Sequence, residues 1–201
     1  MGKIRTPIKK TSIEKKNKII EKGFKLMCKE GYHNITCVDI AKYSNVSTGI
    51  IYQYFKDKRD IFIEGVKNYS NKIMFPMTKT LTETKINKEN LNETITKMID
   101  NYIKTHTLSK KAHQELSAMS CLDEEIESIF KKNEMQMTEN ILKILKENNI
   151  NTKNQKEKIH IVIGLIDNYC HELVYHKHPN INYKAMKEEV INITTKLLIE
   201  Q

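Results

Sequence analysis

His171, His176 and His178 form an H-x4-H-x-H pattern near a predicted helix end, and His106 and His113 lie seven apart elsewhere. Imidazoles are common metal ligands, but two ligands on one helical face need i, i+3 or i, i+4 spacing, which neither set offers. Polar surface or capping histidines are the plainer reading, and no metal site is expected. Cys28, Cys37, Cys121 and Cys170 are far apart, without a CxxC pair, in segments that read as helices. They look like reduced, small apolar residues rather than a disulfide framework or zinc ligands. The carboxylates scatter along helical faces, and there is no Ser nucleophile elbow or Gly-rich phosphate loop. No catalytic residue, cofactor or enzyme activity is therefore expected.

The chemistry that does stand out is charge. The 201 residues carry 34 Lys and Arg against 25 Asp and Glu, a formal net charge of +9. Residues 1–60 hold 14 of those basic residues and only 6 acidic ones, so the remaining 20 and 19 nearly cancel. Excess positive charge confined to the first third suits contact with a polyanion there and a different task elsewhere. A basic face kept for solubility is the plainer alternative. No run approaches the roughly 18 apolar residues of a membrane span, and the start lacks an apolar secretory core, so a cytoplasmic protein without a membrane partner is expected. Met1-Gly2-Lys3-Ile4-Arg5-Thr6 fits the loose N-myristoylation pattern, though the same residues can serve as a basic arm.

These residues must be positioned by helices, because 3 Pro and 6 Gly leave long uninterrupted helical periods and no strand period competes. Thr11-x-x-Glu14 offers a capping box for a first helix, in which Ile20, Gly23, Phe24 and Met27 recur until Gly31 stops the run. Thr36-x-x-Asp39 is a second box, opening a short helix to about Ser44. Ser47 can cap another short helix ending at Tyr54 or Phe55, and Asp57 with Asp60 marks a fourth, with Phe62, Gly65, Val66, Tyr69 and Ile73 on one face and Pro76 as its end or kink. Beyond a polar stretch at 78–90, helices are predicted near 91–107, 110–119, 123–147, 155–176 and 183–199.

Two short helices joined by a tight turn, behind a longer helix and inside the basic third, suggest helix-turn-helix DNA binding. Ala41 is small where the helices cross, Asn45 tolerates the left-handed backbone of the turn, and Val46, Ile50 or Ile51, and Phe55 can fill the space between helices. The ordered set Ile19-Ile20-x-x-Gly23-Phe24-x-x-Met27-x-x-x-Gly31-Tyr32-x-x-x-Thr36-x-x-Asp39-Ile40-Ala41, then Val46-Ser47-x-Gly49-x-x-Tyr52-x-Tyr54-Phe55-x-x-Lys58, resembles the N-terminal domain of the TetR (tetracycline-repressor-like) family over residues 12–66. The family usually has Ala-Gly where this chain has Ser44-Asn45.

The resemblance implies that the helix from Thr48 to Tyr54 enters the major groove. Thr48 and Gln53 would then reach base edges, while Gly49 lets the backbone approach. Ser47, Tyr52 and Tyr54 carry hydroxyls suited to phosphate, and Thr36 and Lys58 match positions that hold the DNA backbone. The plainer readings are Thr36 and Ser47 as caps, Tyr52 as packing and Lys58 as solvated charge. The tail from Lys3 to Lys10 could also act as a basic arm.

The resemblance further implies a body that binds a small-molecule effector. Met98, Tyr102, His106, Met119 and Tyr169 are candidate lining residues, combining apolar surface with occasional polar handles. Ordinary core is the alternative for each. The last two helices are broadly apolar: Ile159, Val162, Ile163, Ile166, Cys170, Leu173 and Val174 form one stripe, with Ile161, Leu165 and Tyr169 forming another. Val190, Ile193 and Leu197, with Ile191 and Leu198, widen the final helix likewise, and Gly164 permits close approach. Such helices need cover from two sides, by the bundle and by a second copy, although a single buried bundle is the alternative.

The expected architecture is all-α with about nine helices: a helix-turn-helix DNA-binding domain over 1–60 with a basic arm, then a helical effector-binding and dimerisation domain over 61–201. The expected function is a TetR-like, homodimeric transcriptional repressor on a palindromic double-stranded operator, released by an unknown small molecule. The alternative is a helical interaction module whose basic head meets a protein or an anionic membrane.

Overall fold

The computed structural model describes residues 4–82, 85–106 and 108–200, without the side chains of 73–80. The acylation pattern at Gly2 and the face position of Ile73 thus lie outside the described residues. Among the described residues there are nine α-helices, a 3-10 turn and no strand, as expected for the all-α class. They are α1 (Lys10–Glu30), the 3-10 turn (Tyr32–Asn34), α2 (Cys37–Ser44), α3 (Thr48–Tyr54), α4 (Lys58–Thr82), α5 (Leu91–Thr105), α6 (Lys110–Leu122), α7 (Glu124–Glu147), α8 (Gln155–Tyr175) and α9 (Tyr183–Ile199). No described helix is long and apolar enough to cross a membrane.

Two local expectations are corrected. The N–H groups of Ser12 and Ile13 already bond the Lys9 carbonyl, so α1 begins at Lys10 and Thr11 is helical rather than extended. The Thr11-x-x-Glu14 box therefore does not form, because an N-cap needs extended backbone. Of the two outcomes expected at Pro76, an end or a kink, the first does not occur, since α4 continues to Thr82. Proline's fixed φ is itself helical, and only one donor is lost.

The chain divides into two compact units. The first comprises Met1–Tyr69 and Leu108–Phe130, the second Ser70–Thr107 and Lys131–Gln201. In the first, Ile19, Phe24 and Met27 of α1, Ile40 and Ala41 of α2, Ile51 of α3 and Ile61, Phe62 and Val66 of α4 form one core with Leu116, Met119 and Ile126. Gly65 makes this packing possible: a Cβ there would lie 2.5 Å from Phe24 Cβ. The backbone N–H of Tyr32 donates to Glu115 Oε1 of α6 at 2.6 Å. Arg59 donates from both Nε and Nη2 to the Asp123 carboxylate, at 2.6 and 2.9 Å. These polar links, together with the shared core, make α6 part of the head unit.

In the second unit the core is built from α5 (Ile95, Met98, Ile99, Tyr102), α7 (Met137, Ile141, Leu145), α8 (Ile159, Val162, Ile163, Ile166, Cys170) and α9 (Val190, Leu198). On α9 the buried row is Val190, Thr194 and Leu198, an i, i+4, i+8 line, whereas Ile193 is 44% exposed. On α8 Tyr169 joins the core, while Ile161 is 58% exposed.

Candidate nucleic-acid interface

The helix-turn-helix is built by two local devices. Thr36 caps α2: its Oγ1 accepts from the Asp39 N–H at 3.3 Å, and Asp39 Oδ2 accepts from the Thr36 N–H at 2.9 Å, completing the predicted box. Those hydrogen bonds, the Thr36 backbone bond after its side-chain bond, hold the Asp39 carboxyl below the usual carboxylate value. Asn45 then turns the chain at φ 56°, ψ 53°, the left-handed conformation that asparagine tolerates. Its N–H and that of Val46 return to the Lys42 and Ala41 carbonyls at 3.0 Å, closing the helix end.

The turn aims α3 so that its two sides differ. Ile51 and Tyr54 are buried, whereas Ser47, Gly49 and Tyr52 are exposed and Thr48 and Gln53 half-buried. Positions 48, 49, 52 and 53 share one helical face, so the residues expected at base edges and phosphates stand together in solvent. A Cβ on Gly49 would meet only Ser47 Oγ, at 3.9 Å, so the glycine is not required by internal packing and leaves room for another molecule. Tyr52 is 54% exposed and stands near Cys37, whose thiol is pushed up chiefly by burial. The backbone N–H of Arg5 donates to the Gln53 carbonyl at 2.9 Å, which lays the basic arm against the last turn of α3.

The structure refines the reading of four expected residues. Ser47 stands at the N-cap of α3 but makes no side-chain cap bond, leaving its hydroxyl in solvent. Thr36 Oγ1 also lies 2.5 Å from Asp39 Oδ2, so its one proton goes to that carboxylate. The first-turn N–H groups of α2, which have no intrahelical partner, are then the better phosphate donors. Tyr54 is only 6% exposed and packs in the head core. Lys58 is not a solvated charge: Nζ donates to the carbonyls of Tyr32 at 2.7 Å and Ile35 at 2.8 Å, and sits 4.6 Å from the Tyr32 ring centroid. It ties the segment before α2 to the start of α4.

The expected effector residues separate. Met119 belongs to the core of the head unit, whereas Met98, Tyr102 and Tyr169 are buried together in the second unit. His106 follows α5, its ring edge-on to Tyr102 at 4.6 Å between centroids. Sequence reasoning missed Asp167 and Tyr175 and read His171 as polar surface or a cap; all three complete this cluster. Tyr102 donates its hydroxyl to Asp167 Oδ1, and His171 Nδ1 lies 2.9 Å from Asp167 Oδ2. Burial raises the Asp167 pKa, but the bond and charge of His171 and the Tyr102 hydroxyl outweigh it, leaving the carboxyl below its ordinary value. The available signal was the i, i+4, i+8 line Asp167, His171, Tyr175 on a helix with a broad apolar stripe. Among the described residues no group of His, Cys, Asp and Glu is placed to hold a metal. Burial pushes Cys28 and Cys170 up to about 12, as befits thiols that serve as packing.

Comparison with known proteins adds to this geometry. Residues 19–64 match the family model of bacterial regulatory proteins, tetR family. The chain is 46% identical over 55 residues to the HTH-type transcriptional regulator HbdR of Aromatoleum sp. (strain CIB), covering 27% of this chain and 24% of that protein. It is 32% identical over 98 residues to the fatty acid metabolism regulator protein of Bacillus subtilis (strain 168), covering 49% and 50% respectively. The chain thus spans about a quarter to half the length of these curated relatives. The crystal structure of a TetR-family regulator from Syntrophomonas wolfei superposes with a TM-score of 0.68 at 20% identity, covering 93% of this chain and 96% of that one. The fold is therefore shared over nearly the whole chain, while the family model matches residues 19–64.

Proposed function

This chain belongs to the tetR family of bacterial regulatory proteins, and on that premise we propose that it is a DNA-binding transcriptional regulator, a repressor released from a palindromic operator by a small molecule. The observation that carries the reading is the exposed face of α3. Thr48, Gly49, Tyr52 and Gln53 stand on one side of a seven-residue helix. That side is flanked by Arg5 of the arm and by the N-terminus of α2. Such a helix fits the major groove with Thr48 and Gln53 at base edges, while Ser47, Tyr52, the third proton of Lys58 and the α2 N-terminus meet phosphates. Tyr54 contributes chiefly by packing, so Tyr54→Ala perturbs the fold, and Tyr54→Phe is the variant that isolates its hydroxyl.

The molecule acts as a homodimer through α8 and α9. Support comes from apolar side chains left uncovered on these helices, Ile161, Val174 and Ile193, and from Gly164, which has no neighbouring heavy atom within 4 Å of where its Cβ would lie. A second copy would cover them as a four-helix interface. Effector binding in the second unit would shift a two-state equilibrium that changes the separation of the two heads.

The deciding experiment selects the preferred duplex from a random pool with the full chain. Two inverted half-sites, bound in a salt-dependent manner, are expected. A single unsymmetrical site would remove the dimer-on-palindrome reading. Loss of duplex binding with retention of anionic vesicles would replace DNA by a membrane surface.

A further inference from the structure

Among the described residues of the second unit, His106 is a buried histidine with one ring nitrogen left unsatisfied. Its Nδ1 lies 2.8 Å from the Tyr102 carbonyl oxygen, which can only accept, so Nδ1 carries the proton. Burial, joined by the charge of His171, lowers the His106 pKa against the opposing pull of the Tyr102 bond and Asp167, which favours the neutral ring. In that tautomer Nε2 is a bare lone pair. The residue is only 9% exposed, and Nε2 is enclosed without a hydrogen-bond partner among the described residues. A buried acceptor left unfilled is costly and calls for a donor.

The surroundings restrict what that donor belongs to. The His106 ring has Tyr102 at 4.6 Å, His171 at 4.9 Å and Tyr175 at 5.7 Å between centroids, so the immediate walls are aromatic. Asp167, already engaged by Tyr102 and His171, places a carboxylate beside the cluster. Building on the effector reading above, we propose that the effector's polar end docks on His106 Nε2 and is a hydrogen-bond donor, a hydroxyl or N–H group on an apolar body. A carboxylate or thioester offers only acceptors: it would set lone pair against lone pair at Nε2. A carboxylate would also meet the Asp167 charge.

The test uses the full-length protein and matched probes on two apolar bodies. One series is 4-propylphenol, 4-propylaniline, propylbenzene and 4-propylbenzoate; the other is 1-octanol, octylamine and octanoate. Calorimetric titration should show the donor-ended members binding about tenfold or more tightly than the carboxylates, and the phenol and aniline likewise over propylbenzene. His106→Phe should erase that preference while propylbenzene still binds. Tyr102→Phe should keep it, because the backbone carbonyl that sets the His106 tautomer remains. Should His106→Phe not fold, the imidazole 15N shifts of the unmodified protein serve instead: Nε2 must read as an unprotonated acceptor and move when 4-propylphenol is added.

Carboxylates that bind as well as donors, a panel with no discrimination, or a preference that survives in His106→Phe would each overturn the proposal. Operator release separates this from the premise. Donor probes that bind through His106 but leave the DNA complex intact would overturn the effector reading and not the ligand chemistry. Carboxylates that release DNA with His106 irrelevant would do the reverse.

Discussion

Replacing Lys58 by Met removes the ammonium while keeping most of the alkyl stem. Two strong bonds disappear, to the Tyr32 carbonyl at 2.7 Å and the Ile35 carbonyl at 2.8 Å, together with the contact 4.6 Å from the Tyr32 ring centroid. A hydrogen bond to a charged group contributes about 1.5–3 kcal/mol, but these carbonyls are partly buried and regain water, so about 1 kcal/mol each survives. The cation–π contact adds about 0.5 kcal/mol. Lys58→Met should therefore destabilise the protein by about 2–3 kcal/mol, read as a lower urea midpoint by circular dichroism. The third ammonium proton has only the His33 carbonyl at 3.5 Å and is the one free to meet a phosphate. In DNA titrations at several salt concentrations, the magnitude of the slope of log K against log salt should fall by about 1.8, about 0.9 for the phosphate lost by each of the two protomers. A midpoint unchanged within about 0.5 kcal/mol would refute the carbonyl latch. An unchanged salt slope would refute the phosphate contact independently.

Three further outcomes follow from the packing. Gly65→Ala puts a Cβ 2.5 Å from Phe24 Cβ and Cγ, atoms close to the backbone that cannot swing aside. Overpacking of about 1–3 kcal/mol should exceed the roughly 1 kcal/mol helix-propensity gain, lowering the melting temperature, and a stabilised variant would contradict that close approach. Ser44 is fully buried with its hydroxyl unpartnered among the described residues, so Ser44→Ala should raise stability by about 1 kcal/mol in urea unfolding; a loss would mean the hydroxyl is satisfied. The lowered His106 pKa means the unfolded chain binds this proton more readily than the folded one. Its contribution is complete above its ordinary value of 6.5 and is lost as pH falls below it. Urea midpoints between pH 7.5 and 5 should therefore decline less in His106→Gln than in the unmodified chain, and equal declines would count against the assignment.

Much of the head was legible because its determinants are local. The Thr36–Asp39 box, the left-handed Asn45 and the Gly31 stop each depend on residues within a few positions, and each stands where the sequence put it. The departure Ser44-Asn45 was also visible, though that Ser44 would be buried without a partner was not. The Thr11 box failed because the same residue type caps a helix or continues it according to where the chain enters, and here Lys9 already holds the first turn.

By itself the sequence determined the all-helical class, the order of the helices, the basic first third and the ordered positions of the helix-turn-helix, since periodicity, caps and charge are read along the chain. Only the tertiary structure decided which polar groups meet across long separations. It gave Lys58 to the carbonyls of Tyr32 and Ile35, Glu115 to the Tyr32 N–H, and Met119 to the head core. It likewise gathered Tyr102 and His106 with Asp167 and His171, some 65 positions apart, into one buried cluster. Helical period tells which face is apolar but not which neighbour covers it. A histidine reads the same in sequence whether it faces water or an unfilled interior.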